Sequence, residues 1–184
     1  SLKKPSSSVP TYWVEDGTGK RMRFDIFPGR AVYALMQITW SDGYVITITR
    51  NTSNFSIQSI SDNRGQRANF TTSTVPGNTT NVFATKIEID TNYNGTTFAP
   101  EVELNYAYTA NPTAPGWPMI TSVTRRDVIT NVTEGIGSYS YYDTTKYFPP
   151  LLLSASDGRV DASGNPVVFS SFSYRIPGMA GSVT

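Results

Sequence analysis

The 184-residue sequence contains no cysteine and no histidine. Without cysteine the chain can form no disulfide, no thiolate metal site and no thiol nucleophile. Without histidine it lacks the commonest metal ligand and the usual general base near neutral pH. The joint absence predicts a protein that uses no cofactor or metal and is not an enzyme.

The chain also has little net charge: its 15 basic and 14 acidic residues leave a formal net charge of +1. No strong field therefore attracts nucleic acid or an anionic membrane, and neither is expected as a partner. The sequence has no uninterrupted apolar run of membrane-spanning length, so membrane insertion is not expected either. These absences favour recognition of another protein or of a glycan.

Helical periodicity is missing, whereas apolar and polar side chains alternate every second residue along much of the chain. The clearest alternation lies in residues 31–50, on both sides of Ser41-Asp42-Gly43. It predicts a β-hairpin closed by a three-residue turn whose glycine takes the left-handed backbone region. Further strands are predicted at residues 11–14, 20–27, 55–60, 82–90, 101–108, 119–124, 128–133, 151–153 and 167–176.

Short strands separated by Gly, Pro, Asn and Asp turns are typical of sandwiches and barrels, and roughly nine or ten strands are expected here. We predict an all-β fold, an antiparallel β-sandwich of jelly-roll or Greek-key type with long loops. Residues 51–81 are expected to be mostly loop around one short strand. Residues 1–10 are expected to be a flexible leader or hinge, and residues 11–184 a single domain. No internal repeat is recognisable.

Exposed aromatic rings and arginines are the side chains most suited to partner recognition in this chain. The tyrosines of residues 139–142 could stack on a sugar ring or anchor a protein interface, and a Pro-rich loop carries a tryptophan. Two arginines around Gly65 could bind a carboxylate such as that of sialic acid. Ordinary packing and solvated charge are the commoner roles of such residues. The candidate binding residues are Trp117, Tyr139, Tyr141, Tyr142, Arg64 and Arg67.

Paired carboxylates are the one enzymatic motif open to a chain without histidine or cysteine. Glu101 and Glu103 are two residues apart on a predicted strand, as are Glu88 and Asp90. Such side chains share a face at about 7 Å, a separation that glycosidases use. The same spacing is ordinary on a solvent-facing strand, which is the favoured interpretation.

The two ends of the chain resemble those of adenovirus fibre heads, also called knobs. Residues 11–14 read Thr-Tyr-Trp-Val, where the family has Thr-Leu-Trp-Thr directly after the shaft. Residues 172–176 read Phe-Ser-Tyr-Arg-Ile, where the family closes with a strand close to Phe-Ser-Tyr-Ile. The resemblance implies a homotrimeric β-sandwich at the tip of a virion fibre, assembled in the host nucleus. It implies attachment of the virion to a host-cell receptor, either a protein or a glycan.

Two other functions fit the composition. One is the jelly-roll capsid shell protein of a small virus with residues 1–10 as an internal arm, although two lysines are few for packaging RNA. The other is a secreted, extracellular carbohydrate-binding or glycosidase β-sandwich domain. Six N-glycosylation sequons would suit that second alternative.

Overall fold

The computed structural model describes residues 2–3, 11–27, 32–111, 117–142 and 151–173. Within these ranges the chain forms thirteen β-strands and no helix. The strands are β1 (Leu2–Lys3), β2 (Thr11–Glu15), β3 (Arg21–Ile26), β4 (Tyr33–Thr39), β5 (Val45–Arg50), β6 (Ile57–Asp62), β7 (Arg67–Val75), β8 (Asn78–Asp90), β9 (Val102–Thr109), β10 (Met119–Asp127), β11 (Val132–Tyr141), β12 (Leu152–Val160) and β13 (Pro166–Ser171). The predicted all-β class is confirmed.

The contacts divide the chain into two compact units. The first comprises Ser1–Thr71 with Ile87–Glu101, and the second Thr72–Lys86 with Val102–Thr184. In the first unit, strands β1 to β7 pair antiparallel in chain order. In the second, strands β9 to β13 do the same. The predicted antiparallel pairing is therefore confirmed.

A jelly roll or Greek key needs neighbouring strands that are not consecutive in the chain. Among the described residues the strands are neighbours in chain order only. The predicted sandwich of jelly-roll or Greek-key type is thus not confirmed. Of the predicted leader, Leu2 and Lys3 pair with β2 opposite Val14 and Trp13, and residues 4–10 lie outside the described ranges.

The predicted hairpin of residues 31–50 is confirmed. Ile38 of β4 lies opposite Ile46 of β5. The Trp40 N–H donates to the Tyr44 carbonyl at 2.9 Å, and the Gly43 N–H donates to the Trp40 carbonyl at 3.1 Å. The φ angle of Gly43 is 84°, a value that an L side chain tolerates poorly. The glycine therefore closes the turn in the predicted conformation.

The same type of turn occurs three times, at residues 16–20, 62–66 and 161–165. In each turn the Oδ1 atom of the leading aspartate accepts backbone N–H groups two and four residues later, at 2.8–3.1 Å. The aspartate N–H donates to the carbonyl of the fifth residue, and the fourth residue is a glycine with positive φ. The shared Asp-x-x-Gly spacing is a local repeat that the sequence pattern had not revealed.

The prediction of long loops in residues 51–81 is wrong. Strands β6, β7 and the first part of β8 occupy most of this region, and β7 alternates little in burial. Ser, Thr and Asn fill these strands, and backbone pairing to neighbouring strands holds them without an apolar stripe. The short strand predicted at residues 55–60 corresponds to β6, whereas alternation missed β7 and the start of β8.

The predicted strand 128–133 is wrong over its first part, because β10 continues to Asp127 and β11 begins only at Val132. The chain reverses instead at residues 128–131, where the predicted strand 128–133 begins, and Asn131 has a φ of 57°. Gly135 lies inside β11, and the steric constraint falls on Gly158 of β12, where a Cβ would lie 1.7 Å from the Gly135 carbonyl oxygen. Glycine at residue 158 therefore permits the close approach of the two strands.

At the end of the chain the predicted strand 167–176 is shorter than expected. Strand β13 ends at Ser171, Phe172 and Ser173 follow it without strand structure, and residues 174–176 lie outside the described ranges. The predicted strand 151–153 corresponds to the start of β12, where Leu152 and Leu153 are half-buried.

Each unit has its own small set of buried apolar side chains. Phe27, Ala34 and Ile48 are buried in the first unit. The buried apolar residues of the second unit are Val75, Met119, Val123, Tyr142 and Ala155. Most other strand residues are half-buried, so the sheet surfaces combine apolar and polar groups that a ligand can reach.

Candidate functional site

An open groove of about 350 Å³ lies in the first unit. The strand register explains its composition, since Ile60 lies opposite Ala68 and Ile46 lies opposite Asp62. Directly opposed residues share a face of the sheet, so these pairs bring apolar and polar groups to one surface. The lining residues are Tyr44, Ile46, Ile60, Ser61, Asp62, Gln66, Arg67, Ala68, Ile89 and Thr91.

Asp62 is held at the groove by its turn. Its Oδ1 accepts the backbone N–H groups of Arg64 and Gln66 at 3.0 and 2.8 Å, and its Oδ2 accepts the Tyr44 hydroxyl at 3.0 Å. Partial burial opposes ionisation, but these hydrogen bonds outweigh it and hold the pKa of Asp62 below its usual range. The same bond to the Asp62 carboxylate raises the pKa of Tyr44. The groove therefore carries a fixed carboxylate at neutral pH.

Arg67 lies at the start of β7 and lines the same groove. Its Nε donates to Asn69 Oδ1 at 2.9 Å, and its Nη1 donates to the Tyr93 hydroxyl at 2.8 Å. The guanidinium carbon is 4.9 Å from the Tyr93 ring centre and 5.8 Å from that of Phe98. Two hydrogen bonds and two rings thus fix the orientation of the guanidinium.

Arg64, the other arginine predicted from the sequence, has different surroundings. Its Nη2 is 3.2 Å from Asp42 Oδ2, and its guanidinium carbon is 4.4 Å from the Tyr44 ring centre. Both members of the ion pair are largely exposed, and Arg64 does not line the groove. Of the two arginines, only Arg67 faces the cavity.

The four aromatic candidates all lie in the second unit. Trp117 is 70% exposed. Tyr139 is half-buried, while Tyr141 donates its hydroxyl to the Ile120 carbonyl at 2.8 Å. Burial, followed by repulsion from Tyr139, raises the pKa of Tyr141. The exposure of Trp117 leaves it the most available of the aromatic candidates for contact with a partner.

Tyr142 has a structural role. Its side chain is only 8% exposed, and its hydroxyl donates to the Phe172 carbonyl at 2.5 Å. This bond joins the end of β11 to the segment after β13. The six candidates thus divide between two units, and among the tyrosines Tyr142 offers the least surface to a partner.

The paired carboxylates are engaged in local structure. Glu101 accepts hydrogen bonds from the Thr91 hydroxyl and from Asn92 Nδ2. Glu103 lies 3.1 Å from Arg126 Nη1. Asp90 is buried and accepts the backbone N–H groups of Asn92 and Ala99 at 2.9 and 2.8 Å. Asp90, Glu101 and Glu103 therefore all have structural partners.

Sequence patterns missed most of the groove residues. Tyr44, Ile46, Ile60 and Asp62 have even spacing on their strands, which predicts a shared face, but no sequence signal shows that residues 91–98 pack beside them. That packing depends on the Tyr93 N–H, which donates to the Gly65 carbonyl at 2.7 Å. The contact spans residues far apart in the chain, so only the folded structure reveals it.

The part of the chain that the structure describes contains no cluster of three or more acidic side chains that could hold a metal ion. Nor does it contain a helix with the length and apolar character needed to cross a membrane. No family model, curated protein or solved structure matches this chain, so the groove and the side chains around it are the basis for assigning a function.

Proposed function

We propose that this chain is a non-enzymatic recognition module that attaches its parent particle to a host-cell receptor, either a protein or a glycan. The observation that carries the proposal is the open groove of the first unit, which is lined by Arg67, Asp62 and several isoleucines. Binding sites commonly combine apolar walls with a few oriented polar groups, and their volumes start at about 300 Å³.

The groove suits binding better than catalysis. Asp62 is held by three hydrogen bonds, and those bonds keep its pKa low, so it is a poor proton donor near neutral pH. The guanidinium of Arg67 has N–H donors and no acceptor, so it can only donate hydrogen bonds. These two groups can orient a ligand but supply no evident general acid and base.

In its more specific form, the proposal is that this chain is the head of a viral fibre, which forms a homotrimer at the virion surface. Its support is the resemblance of residues 11–14 and 172–176 to the ends of adenovirus fibre heads. In this form the strands would be arranged as a jelly-roll or Greek-key sandwich, and assembly would take place in the host nucleus.

Binding of the fluorescently labelled protein to a panel of cultured cells tests the general proposal. Thr91→Trp places a bulky ring at the groove, whereas Thr52→Trp places the same ring at an exposed turn of the same unit. We expect Thr91→Trp to weaken cell binding at least tenfold and Thr52→Trp to leave it unchanged. Equal binding by both variants and the wild type would contradict a role for the groove.

Native mass spectrometry of the full chain tests the specific form. A trimer at micromolar concentration is the expected result, and a monomer would count against the fibre head while leaving the recognition module intact. Assembly into closed particles on expression would favour the capsid shell protein instead.

A further inference from the structure

Arg67 differs from the other arginines that form described contacts. Arginines that pair with a carboxylate at 3.2 Å or less are Arg21, Arg23, Arg64, Arg125, Arg126 and Arg159. Arg50 donates to the backbone carbonyls of Leu35 and Phe55. Among the described residues Arg67 has neutral acceptors only, Asn69 and Tyr93. Arg67 therefore forms no ion pair with a carboxylate in the described part of the chain.

The guanidinium also has hydrogen-bonding capacity left. Arginine has five N–H donors in a planar fork. Nε and one Nη1 hydrogen of Arg67 are used, so Nη2 and the other Nη1 hydrogen have no acceptor among the described residues. A carboxylate is the group whose geometry matches such a fork best, because its two oxygens can accept parallel hydrogen bonds.

The rest of the groove restricts the ligand further. Asp62 places a negative charge on the same groove, which disfavours a ligand with several anionic groups. Gln66 and Thr91 are exposed at the lining and can exchange hydrogen bonds with hydroxyl groups. Ile46 and Ile60 supply an apolar surface for the C–H face of a ring. One carboxylate, several hydroxyls and an apolar face together describe an acidic sugar.

We propose that the groove binds a carboxylated pyranose of the hexuronic acid type, with its carboxylate on the free N–H groups of Arg67 and its hydroxyls towards Asp62 and Gln66. This inference rests on the proposed function, because it names the ligand of the same groove. The positive charge that recognises the ligand is oriented in advance by Asn69 and Tyr93, so little side-chain entropy is lost on binding.

Titration of the isotope-labelled full chain with methyl glucuronide, followed by NMR, tests the inference. Methyl glucoside is the matched control, because it has a neutral CH₂OH group in place of the carboxylate. We expect glucuronide to shift the Arg67 Nε–H, Gln66 and Thr91 signals in a saturable way, with an affinity at least tenfold above that of glucoside. Equal affinity for the two sugars, or shifts confined to other residues, would overturn the inference.

Variants separate the role of the fork from that of net charge. Arg67→Gln removes the charge and should weaken glucuronide binding at least tenfold. Arg67→Lys keeps the charge but lacks the planar fork, so its affinity for glucuronide should lie between those of Arg67→Gln and the wild type. Arg21→Gln removes an exposed, ion-paired arginine from the same unit and should leave the affinity within twofold. Thermal unfolding of each variant shows whether the fold is intact. The comparison of glucuronide with glucoside uses wild-type protein, so it does not depend on the folding of any variant.

The outcomes also separate this inference from the proposed function. If Thr91→Trp abolishes cell binding but wild-type protein does not prefer glucuronide, the groove is a recognition site for another ligand and the inference is wrong. If neither cells nor sugars bind through the groove, both the function and the inference are wrong. Glucuronide preference that survives Arg67→Gln in a folded variant would refute the assigned role of Arg67.

Discussion

The phenolic oxygen of Tyr44 lies 3.0 Å from Oδ2 of Asp62 and donates a hydrogen bond to it. The two residues are 18 positions apart in the chain, yet the pairing of β5 with β6 brings them to one side of the groove. Because the bond favours the charged carboxylate, it contributes to the low pKa of Asp62. A local feature of the sheet thereby fixes the charge of the candidate site.

Removal of this hydroxyl should change the titration of Asp62. In Tyr44→Phe we expect the pKa of Asp62 to rise towards its ordinary value, because one hydrogen bond to the charged form is lost while the two backbone N–H donors remain. NMR titration of the carboxyl carbon measures the change. Tyr106→Phe, which removes a hydroxyl from the second unit, should leave the pKa of Asp62 unaltered. If Asp62 had the same pKa in Tyr44→Phe as in the wild type, the Tyr44 hydroxyl would not be lowering that pKa.

The pH dependence of stability should be concentrated in the acid range. Hydrogen bonds from side-chain and backbone donors lower the folded-state pKa of several aspartates: Asp16, Asp62, Asp127, Asp157 and Asp161. A lowered folded pKa contributes stability above the unfolded pKa of about 3.9, and that stability is lost as the pH falls through the folded values.

The chain has no histidine, so no side chain with an ordinary pKa titrates between about pH 5 and 8. We therefore expect the melting temperature to be nearly constant across that range and to fall below about pH 4. Calorimetry over a pH series measures this, and the combined variant with Asn at residues 16, 62 and 161 should have a shallower acid limb. A steep change between pH 5 and 8 would contradict the account.

Gly158 should tolerate no side chain. Its φ is 81°, and a Cβ there would lie 1.7 Å from the carbonyl oxygen of Gly135, so the backbones of β11 and β12 would have to separate. Gly164 has a φ of 82° but no atom within 4 Å of the same position. We expect Gly164→Ala to cost about 1–2 kcal/mol from backbone strain alone, and Gly158→Ala to cost roughly 2–3 kcal/mol more.

Denaturant unfolding of the two glycine variants measures the difference. Both substitutions add the same methyl group at nearly the same φ in the same unit, so the comparison isolates the close approach of the two strands. Equal losses of stability would mean that Gly158 and Gly135 are farther apart than the structure has them.

Substitution of Tyr142 and of Trp117 should affect the free energy of unfolding differently, because Tyr142 is buried and Trp117 is exposed. Tyr142→Phe removes the buried hydroxyl that donates to the Phe172 carbonyl, and we expect a loss of about 1 kcal/mol of unfolding free energy. Trp117→Ala removes a ring that is 70% exposed, and the expected change is within about 0.5 kcal/mol. Weaker cell binding by Trp117→Ala with unchanged stability would make Trp117 a receptor contact. Strong destabilisation by that variant would instead contradict its position on the surface.

The features predicted correctly are those set by neighbouring residues. The alternation in residues 31–50 and the glycine after Ser41-Asp42 are local properties, and they were enough to predict β4, β5 and the turn between them. The polar strand β7 could not be predicted in this way, because its stability comes from pairing with β6. Gly135 and Gly137 lie inside β11, yet glycine within a strand and glycine in a turn are indistinguishable without the neighbouring strand.

The sequence by itself determined the all-β class, the charge balance and the absence of thiol and imidazole chemistry, because composition and two-residue periodicity do not depend on distant contacts. Only the tertiary structure decided which polar residues form a site. Arg64 and Arg67 look alike in the sequence, but Asp42 pairs with Arg64, whereas the docking of Tyr93 on Gly65 brings an aromatic ring rather than a carboxylate to Arg67. Their different roles come from contacts between segments more than twenty residues apart, which no local pattern encodes.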